Sequence, residues 1–255
     1  MPSLSRLQSS IMNIHQPVNL GPPKEERFMN ARPLEKASFR APGIARRKRL
    51  LAAARTLLSH RDLDEIGLAD VARAARIPKG SAYHYYGDIL DLYVQLIAVM
   101  GEEMLQDVRR PIPGRAPECW SDIVAALVRR GAHYFVHDRA ARQLLISSKT
   151  PPALKLKDRQ SDKQIARMFE EQIGRRFVLP LLEDRTAIFF RAVEIADLMF
   201  GLSMLEHGAI TPHMTEEAVR GVVGYLRAHL PDKLPKRGAG RLRGAVKTAV
   251  KTLEV

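Results

Sequence analysis

Three short amphipathic segments crowd between Leu50 and Tyr86, with so few residues between them that only tight connections can join them. The first places Leu50, Ala53, Ala54, Leu57 and Leu58 at i, i+3, i+4, i+7 and i+8, one face of a helix. After the polar run Arg61-Asp62-Leu63-Asp64, the spacing returns over a shorter length at Leu68, Val71, Ala72 and Ala75. Arg76-Ile77-Pro78 then breaks it, and Pro78 suits the first turn of a third helix, where a missing N–H leaves no intrahelical bond unmade. That helix runs only from Lys79 to Tyr86. Three short helices in about 40 residues, the last two tightly joined, form the helix-turn-helix arrangement. A probe this short fits a major groove.

The rest of the chain is helical in pattern. Gly87-Asp88 restarts a long helix, with Asp88 as N-cap, through Leu92, Ile97 and Met104 to Pro111. Further helices are expected at about Glu118–His137, Arg139–Ser148, Asp158–Leu179, Glu183–Gly208 and Thr215–Leu230. Thr215, followed by two glutamates, is the expected start of the last. Gly208 is a stop, while Pro151-Pro152 and Pro180 mark connections. No strand-like alternation survives, so the fold class is all-α. Between Ile188 and Leu205 the pattern is apolar almost all round, interrupted by Arg191, Glu194, Asp197 and Ser203. Such a helix is buried on several sides, and the expected second cover is another subunit.

Charge separates the ends from the middle. Lys and Arg total 41 against 28 Asp and Glu, a formal net charge of +13, which favours a polyanionic partner, nucleic acid or an anionic membrane. Residues 94–231 carry 19 basic against 17 acidic residues, whereas 44–93 carry nine against six and 232–255 carry seven against two. A polyanion-binding end attached to a nearly neutral body follows. An apolar content of 45% is enough for a real core. No run of about 18 apolar residues predicts a membrane span. No apolar leader core precedes Pro17, and the single Cys119 fits a reducing, cytoplasmic setting.

Residues 44–93 resemble the DNA-binding domain of the TetR family of bacterial regulators. Asp70-Val71-Ala72 carries the match, followed at the family's spacing by Lys79-Gly80-Ser81-Ala82-Tyr83-His84-Tyr85-Tyr86. It spans about a fifth of the chain, and the remainder is similar only in the number and order of helices. The resemblance implies a recognition helix at 79–86, with Lys79, Ser81, Tyr83, His84 and Tyr85 as contact makers and Gly80 permitting close backbone approach. Ala82 and Tyr86 are expected to pack inward against Leu57, Val71 and Ala72. Arg46 and Arg47, expected in the first turn of the first helix, join the DNA-binding set with Gly67. Cations there are unfavourable unless something negative lies outside, and a solvated surface accommodates them equally.

Three positions depart from the family pattern. Gly67 stands where Ser or Thr usually caps the second helix, and is expected to offer only its N–H. Arg76 replaces the turn glycine and must take a positive φ or reshape the turn. Ile89 removes a basic residue that usually follows the recognition helix.

By the resemblance the chain divides into a disordered extension (1–43), a helix-turn-helix domain (44–93), a ligand-sensing and dimerisation domain (94–231) and a basic flexible tail (232–255). It implies a homodimer on a palindromic double-stranded DNA operator, released by a small effector that binds within helices 88–180. Met100, Met104, Trp120, Tyr134, Met168 and Phe169 are the candidate pocket walls, although such residues also fill ordinary cores. Few charges lie among them, which favours an apolar or amphipathic effector. Repression is the family's commoner output. No cofactor, metal site or membrane partner is expected: His133 and His137 have helical i, i+4 spacing but lack a third ligand, and no phosphate loop or nucleophile elbow is present. The chief rival reading is a sensor of the same fold that has lost operator recognition.

Overall fold

The computed structural model describes residues 41–237. Nine helices occupy them: α1 (Ala41–Leu58), α2 (Leu68–Ala74), α3 (Lys79–Tyr85), α4 (Ile89–Arg109), α5 (Trp120–His137), α6 (Arg139–Ala141, continued by a π turn over Arg142–Ile146), α7 (Pro152–Gly174), α8 (Arg185–His207) and α9 (Pro212–Arg227). Among the described residues no strand occurs, only an isolated antiparallel bridge between Phe177 and Lys236. The all-α expectation holds.

Local chemistry sets most boundaries. The Asp88 carboxylate accepts from the Asp91 N–H at 2.9 Å, capping α4 as expected. Gly208 ends α8 at φ 67°, a left-handed conformation that glycine adopts without penalty. At α9, Thr211 is the cap rather than Thr215: its hydroxyl accepts from the Met214 N–H at 3.1 Å, and Pro212 takes the first helical position. Helix α1 begins at Ala41, so Arg46 and Arg47 lie beyond its first turn, away from the unpaired N–H groups thought to disfavour them.

From Ala45 to Arg237 the described chain is one compact unit. The head (α1–α3) and the body (α4–α9), expected to part after Tyr93, share a continuous apolar core running from Leu50 and Val71 through Leu92 and Leu96 to Phe189 and Leu226. In the body α4 packs on α7, α7 on α8, α8 on α9 and α9 on α5. Helix α4 crosses α7 closely at Gly101, where a Cβ would come within 2.8 Å of Ser161 Cβ. Residues 232–237, expected to begin a free tail, dock instead. The Val178 N–H donates to Pro235 O at 2.8 Å, the Arg237 N–H to Arg176 O at 2.7 Å, and Leu234 is buried. The 1–40 extension and the basic positions from Arg241 to Lys251 lie outside the described residues.

Candidate DNA-binding face and interior cavity

Helix α3 is short enough to be fixed by two inward residues. Ala82 is fully buried and Tyr86, which caps the helix, is 2% exposed. The Tyr86 hydroxyl donates to Gln95 Oε1 at 3.0 Å, and burial pushes its pKa up to about 12, so it stays a neutral donor. With those two facing in, Lys79, Gly80, Tyr83 and His84 are exposed, and Ser81 and Tyr85 half-buried. Lys79 Nζ sits 5.7 Å from the Tyr83 ring centroid, and the Arg47 guanidinium 5.3 Å from that of Tyr85. These cation–π contacts hold long, flexible cations beside the helix face. The face therefore presents two cations, two phenols, a hydroxyl and an imidazole along α1 and α3.

The sequence departures resolve into geometry. Arg76 takes the positive φ, at 52°, so the turn keeps its shape at the expense of strain in a side-chain-bearing residue. Arg49 compensates the carbonyls there: its Nη2 donates to Ala75 O at 2.5 Å and Arg76 O at 3.2 Å, tying α1 to the end of α2. One member of the basic cluster at 46–49 is thus a structural clamp, which its neighbours in sequence gave no way to distinguish. The Gly67 N–H, expected to point to a partner outside, donates to Asp70 Oδ2 at 3.0 Å. That bond holds the Asp70 carboxyl below its usual range. A Cβ at Gly67 would meet Asp70 Oδ2 at an ordinary 3.6 Å, so no contact demands glycine there.

Head and body are joined by a charged hinge. Arg55 of α1 forms a two-pronged pair with Glu103 of α4, at 2.7 and 2.8 Å, and donates through Nε to Asp138 Oδ2 at 2.9 Å. The bond to Glu103 above all, helped by Asp138, holds this guanidinium above its ordinary pKa. Tyr134 donates to Glu103 Oε2 at 3.1 Å. Close by, Gln143 Nε2 donates to the carbonyls of Leu58 and Arg61, both at 2.7 Å, and its Oε1 accepts from the Leu63 N–H at 2.8 Å.

Between α4, α5, α7 and α8 lies an interior cavity of about 40 Å³, lined by apolar groups including Met104, Leu127, Phe135, Phe169 and Phe200. Three aspartates, Asp158 and Asp162 of α7 and Asp197 of α8, also line it. Burial raises the pKa of all three, and their mutual proximity and Glu194 raise them further: Asp158 is pushed up to about 7 and Asp162 beyond it.

Two family models match the chain, one for bacterial regulatory proteins of the tetR family over residues 50–96, and one for the tetracyclin repressor-like C-terminal domain over residues 118–230. The chain belongs to the TetR family. Its fold is that of a TetR-family transcriptional regulator from Streptomyces coelicolor, at 20% identity and TM-score 0.55 over 72% of this chain and 99% of that one. It is similar to the multidrug binding protein EbrR, solved with imidazole, at 20% identity and TM-score 0.52 over 77% and 98%. It is also similar to RolR, solved with resorcinol, at 16% identity and TM-score 0.56 over 75% and 90%. No curated protein sequence matches.

The six residues expected to wall an effector site are spread over the body rather than gathered on this cavity. Of the six candidates, Met104 and Phe169 line the cavity. Tyr134 belongs to the Arg55–Glu103 hinge. Trp120 anchors the start of α5, donating through Nε1 to Pro231 O at 2.8 Å. Met100 is fully buried core and Met168 half-buried; neither lines the cavity. The wall also reaches past residue 180, to Val193, Ala196, Asp197 and Phe200 of α8. The aspartates are not among the residues expected in the wall: Asp158 and Asp162 at i, i+4, and Glu194 and Asp197 at i, i+3, are legible in the sequence only as acidic faces on two separate helices. His133 and His137 stack with ring centroids 4.0 Å apart, and among the described residues no metal-holding cluster exists.

Proposed function

We propose that this TetR-family regulator binds a palindromic operator as a homodimer and is released from it by a small effector that enters the body cavity. One observation carries the reading: burying Ala82 and Tyr86 turns Lys79, Tyr83 and His84 outward together, with Ser81 and Tyr85 half-exposed beside them and Arg47 stacked at their edge. Lys79 and Arg47 supply phosphate contacts, while Tyr83, His84 and Ser81 supply hydrogen-bonding groups for phosphate and base edges. Arg46, exposed on α1, adds a further cation. Such a probe works in pairs. The pairing surface we infer is the uncovered stripe of α8, where Leu198 is 62% and Leu205 71% exposed, one heptad apart. The regulator then acts among DNA in the cytoplasm.

Release follows from connectivity. Helix α4 bears Gly101 and Met104 on the cavity wall and, between them, Glu103 on the opposite side holding Arg55 of α1. A ligand that fills the cavity by displacing α4 moves α1 with it through that ion pair. The effector binds the conformer whose two heads are wrongly spaced for the operator, and the population shifts.

The test is retention of the gene's own upstream DNA against unrelated competitor at two salt concentrations. Lys79→Ala with Tyr83→Ala is expected to lower specific retention by about 100-fold while leaving the thermal midpoint unchanged. Equal competition in both proteins would sink operator recognition, and favour a sensor of this fold that no longer reads DNA. The internal engagement of the Gly67 N–H is the observation that rival would rest on.

A further inference from the structure

Most of the cavity wall suits any apolar ligand, but the acidic face does not. Asp162 is 6% exposed and lines the cavity. Among the described residues no hydrogen bond or ion pair compensates it: burial and the neighbouring carboxylates oppose its charge, and only the field of Arg159 favours it. Asp158 and Asp197, half-buried, line the same wall. The nearest guanidinium is already engaged, since Arg159 pairs with Glu194 at 3.2 and 3.3 Å. Lys155 stands on the rim of the adjoining groove and forms no ion pair among the described residues. That groove, about 320 Å³, is lined by the same three aspartates together with Lys155 and Leu205. The carboxylates thus line both the groove and the apolar cavity.

An uncompensated carboxylate in such a place is costly unless something positive arrives. A metal ion does not fit, because among the described residues no three carboxylate or histidine groups converge on one point. An organic cation does. Its charge meets Asp162 and its neighbours, and its apolar body replaces the packing between Met104, Phe135, Phe169 and Phe200. The aromatic rings add attraction for a cation that neutral ligands do not receive.

We propose that the effector of this regulator is an organic cation, a protonated amine or quaternary ammonium on an apolar body, recognised by Asp162 with Asp158 and Asp197. The proposal deepens the effector-release reading above and rests on it. The expectation of an apolar or amphipathic effector narrows here to a cationic one, because α7 and α8 bring together carboxylates that lie far apart along the chain.

Calorimetry with the full-length protein tests it, using benzyltrimethylammonium, its naphthylmethyl analogue, and the uncharged carbon isostere neopentylbenzene. At least one cation is expected to bind at least about 10-fold tighter than the isostere. Asp162→Asn is expected to remove that preference while the isostere binds as before. Titrations in two buffers of different ionisation enthalpy should show about one proton released on cation binding, because a carboxyl held protonated by burial ionises when its counter-charge arrives. Asp158→Asn should weaken cation binding less, which keeps the test alive should Asp162→Asn fold poorly. Equal binding of cation and isostere, binding of neither, or cation binding indifferent to both substitutions would overturn the proposal. A shift of Asp162→Asn between dimer and monomer with cation binding intact would overturn it too, by assigning the carboxylates to the partner chain. The DNA-retention measurement stands apart: specific operator binding without any cation response sinks the cation and leaves the regulator.

Discussion

The head and the body of this TetR regulator solve opposite problems. In the head, nearly every polar group near the core is matched over a short distance: Gly67 to Asp70, Arg49 to the end of α2, and Gln143 to three backbone groups of the α1–α2 connection. Only the outer side of α3 is left to a partner. In the body most helices are longer, yet α7 and α8 bring together three carboxylates that form no ion pair among the described residues. A rigid reader needs internal satisfaction, because its contact groups must be held in fixed positions before DNA arrives. A sensor needs an interaction left unmade, because a ligand shifts an equilibrium only by what it completes in one state and not in the other.

Breaking the joint between the two should have the largest effect. Arg55→Ala leaves Glu103 and Asp138 facing each other without their shared cation, and is expected to cost about 2 kcal/mol, a value discounted for the partial exposure of Arg55. Urea unfolding measures it. A destabilisation below about 0.5 kcal/mol would mean that head and body are held by packing alone. If effector release runs through this pair, the variant should also retain DNA in the presence of effector.

The body's unmet carboxylates make its stability pH-dependent in an unusual sense. Asp158 and Asp162 keep protons in the folded chain at pH values where the unfolded chain, with aspartates near 3.9, has released them. The unfolded state then binds fewer protons, so stability is full below about pH 4 as far as these groups are concerned, and falls as pH rises to about 7 for Asp158 and further for Asp162. Thermal unfolding at pH 5, 7 and 9 should show that decline, and Asp162→Asn should flatten it and raise the midpoint at pH 9 by roughly 3 °C. A variant that parallels the wild type at all three values would show Asp162 to be ionised and compensated.

The smallest effect lies in the head. Arg76→Gly relieves the positive φ of 52° and is expected to stabilise by about 1 kcal/mol, since the Arg49 bonds go to backbone oxygens that glycine retains. A loss of stability instead would show that the Arg76 side chain carries packing of its own.

Legibility followed range along the chain. The caps at Asp88 and Gly208, the break at Pro78 and the inward pair Ala82 and Tyr86 were all readable, because each depends on residues within about one turn. The start of α9 was misplaced by three residues for the converse reason: Thr215 and Thr211 are both credible caps, and the backbone path that brings Thr211 to the helix start is set by Ser203, whose hydroxyl accepts from the Thr211 N–H at 3.1 Å. Trp120 and Tyr134 looked like pocket walls because large rings at helical spacing say that a face is buried, but not what it is buried against.

By itself, then, the sequence determined an all-α chain, the short third helix and which of its faces turns outward, since these rest on periodicity, caps and a local motif. Only the tertiary structure decided which buried residues surround empty space, that Arg49 clamps while Arg47 faces out over Tyr85, and that carboxylates from α7 and α8 meet in one wall. Those facts depend on how helices separated by tens of residues cross, and a one-dimensional pattern carries each helix's apolar stripe without the neighbour that stripe will meet.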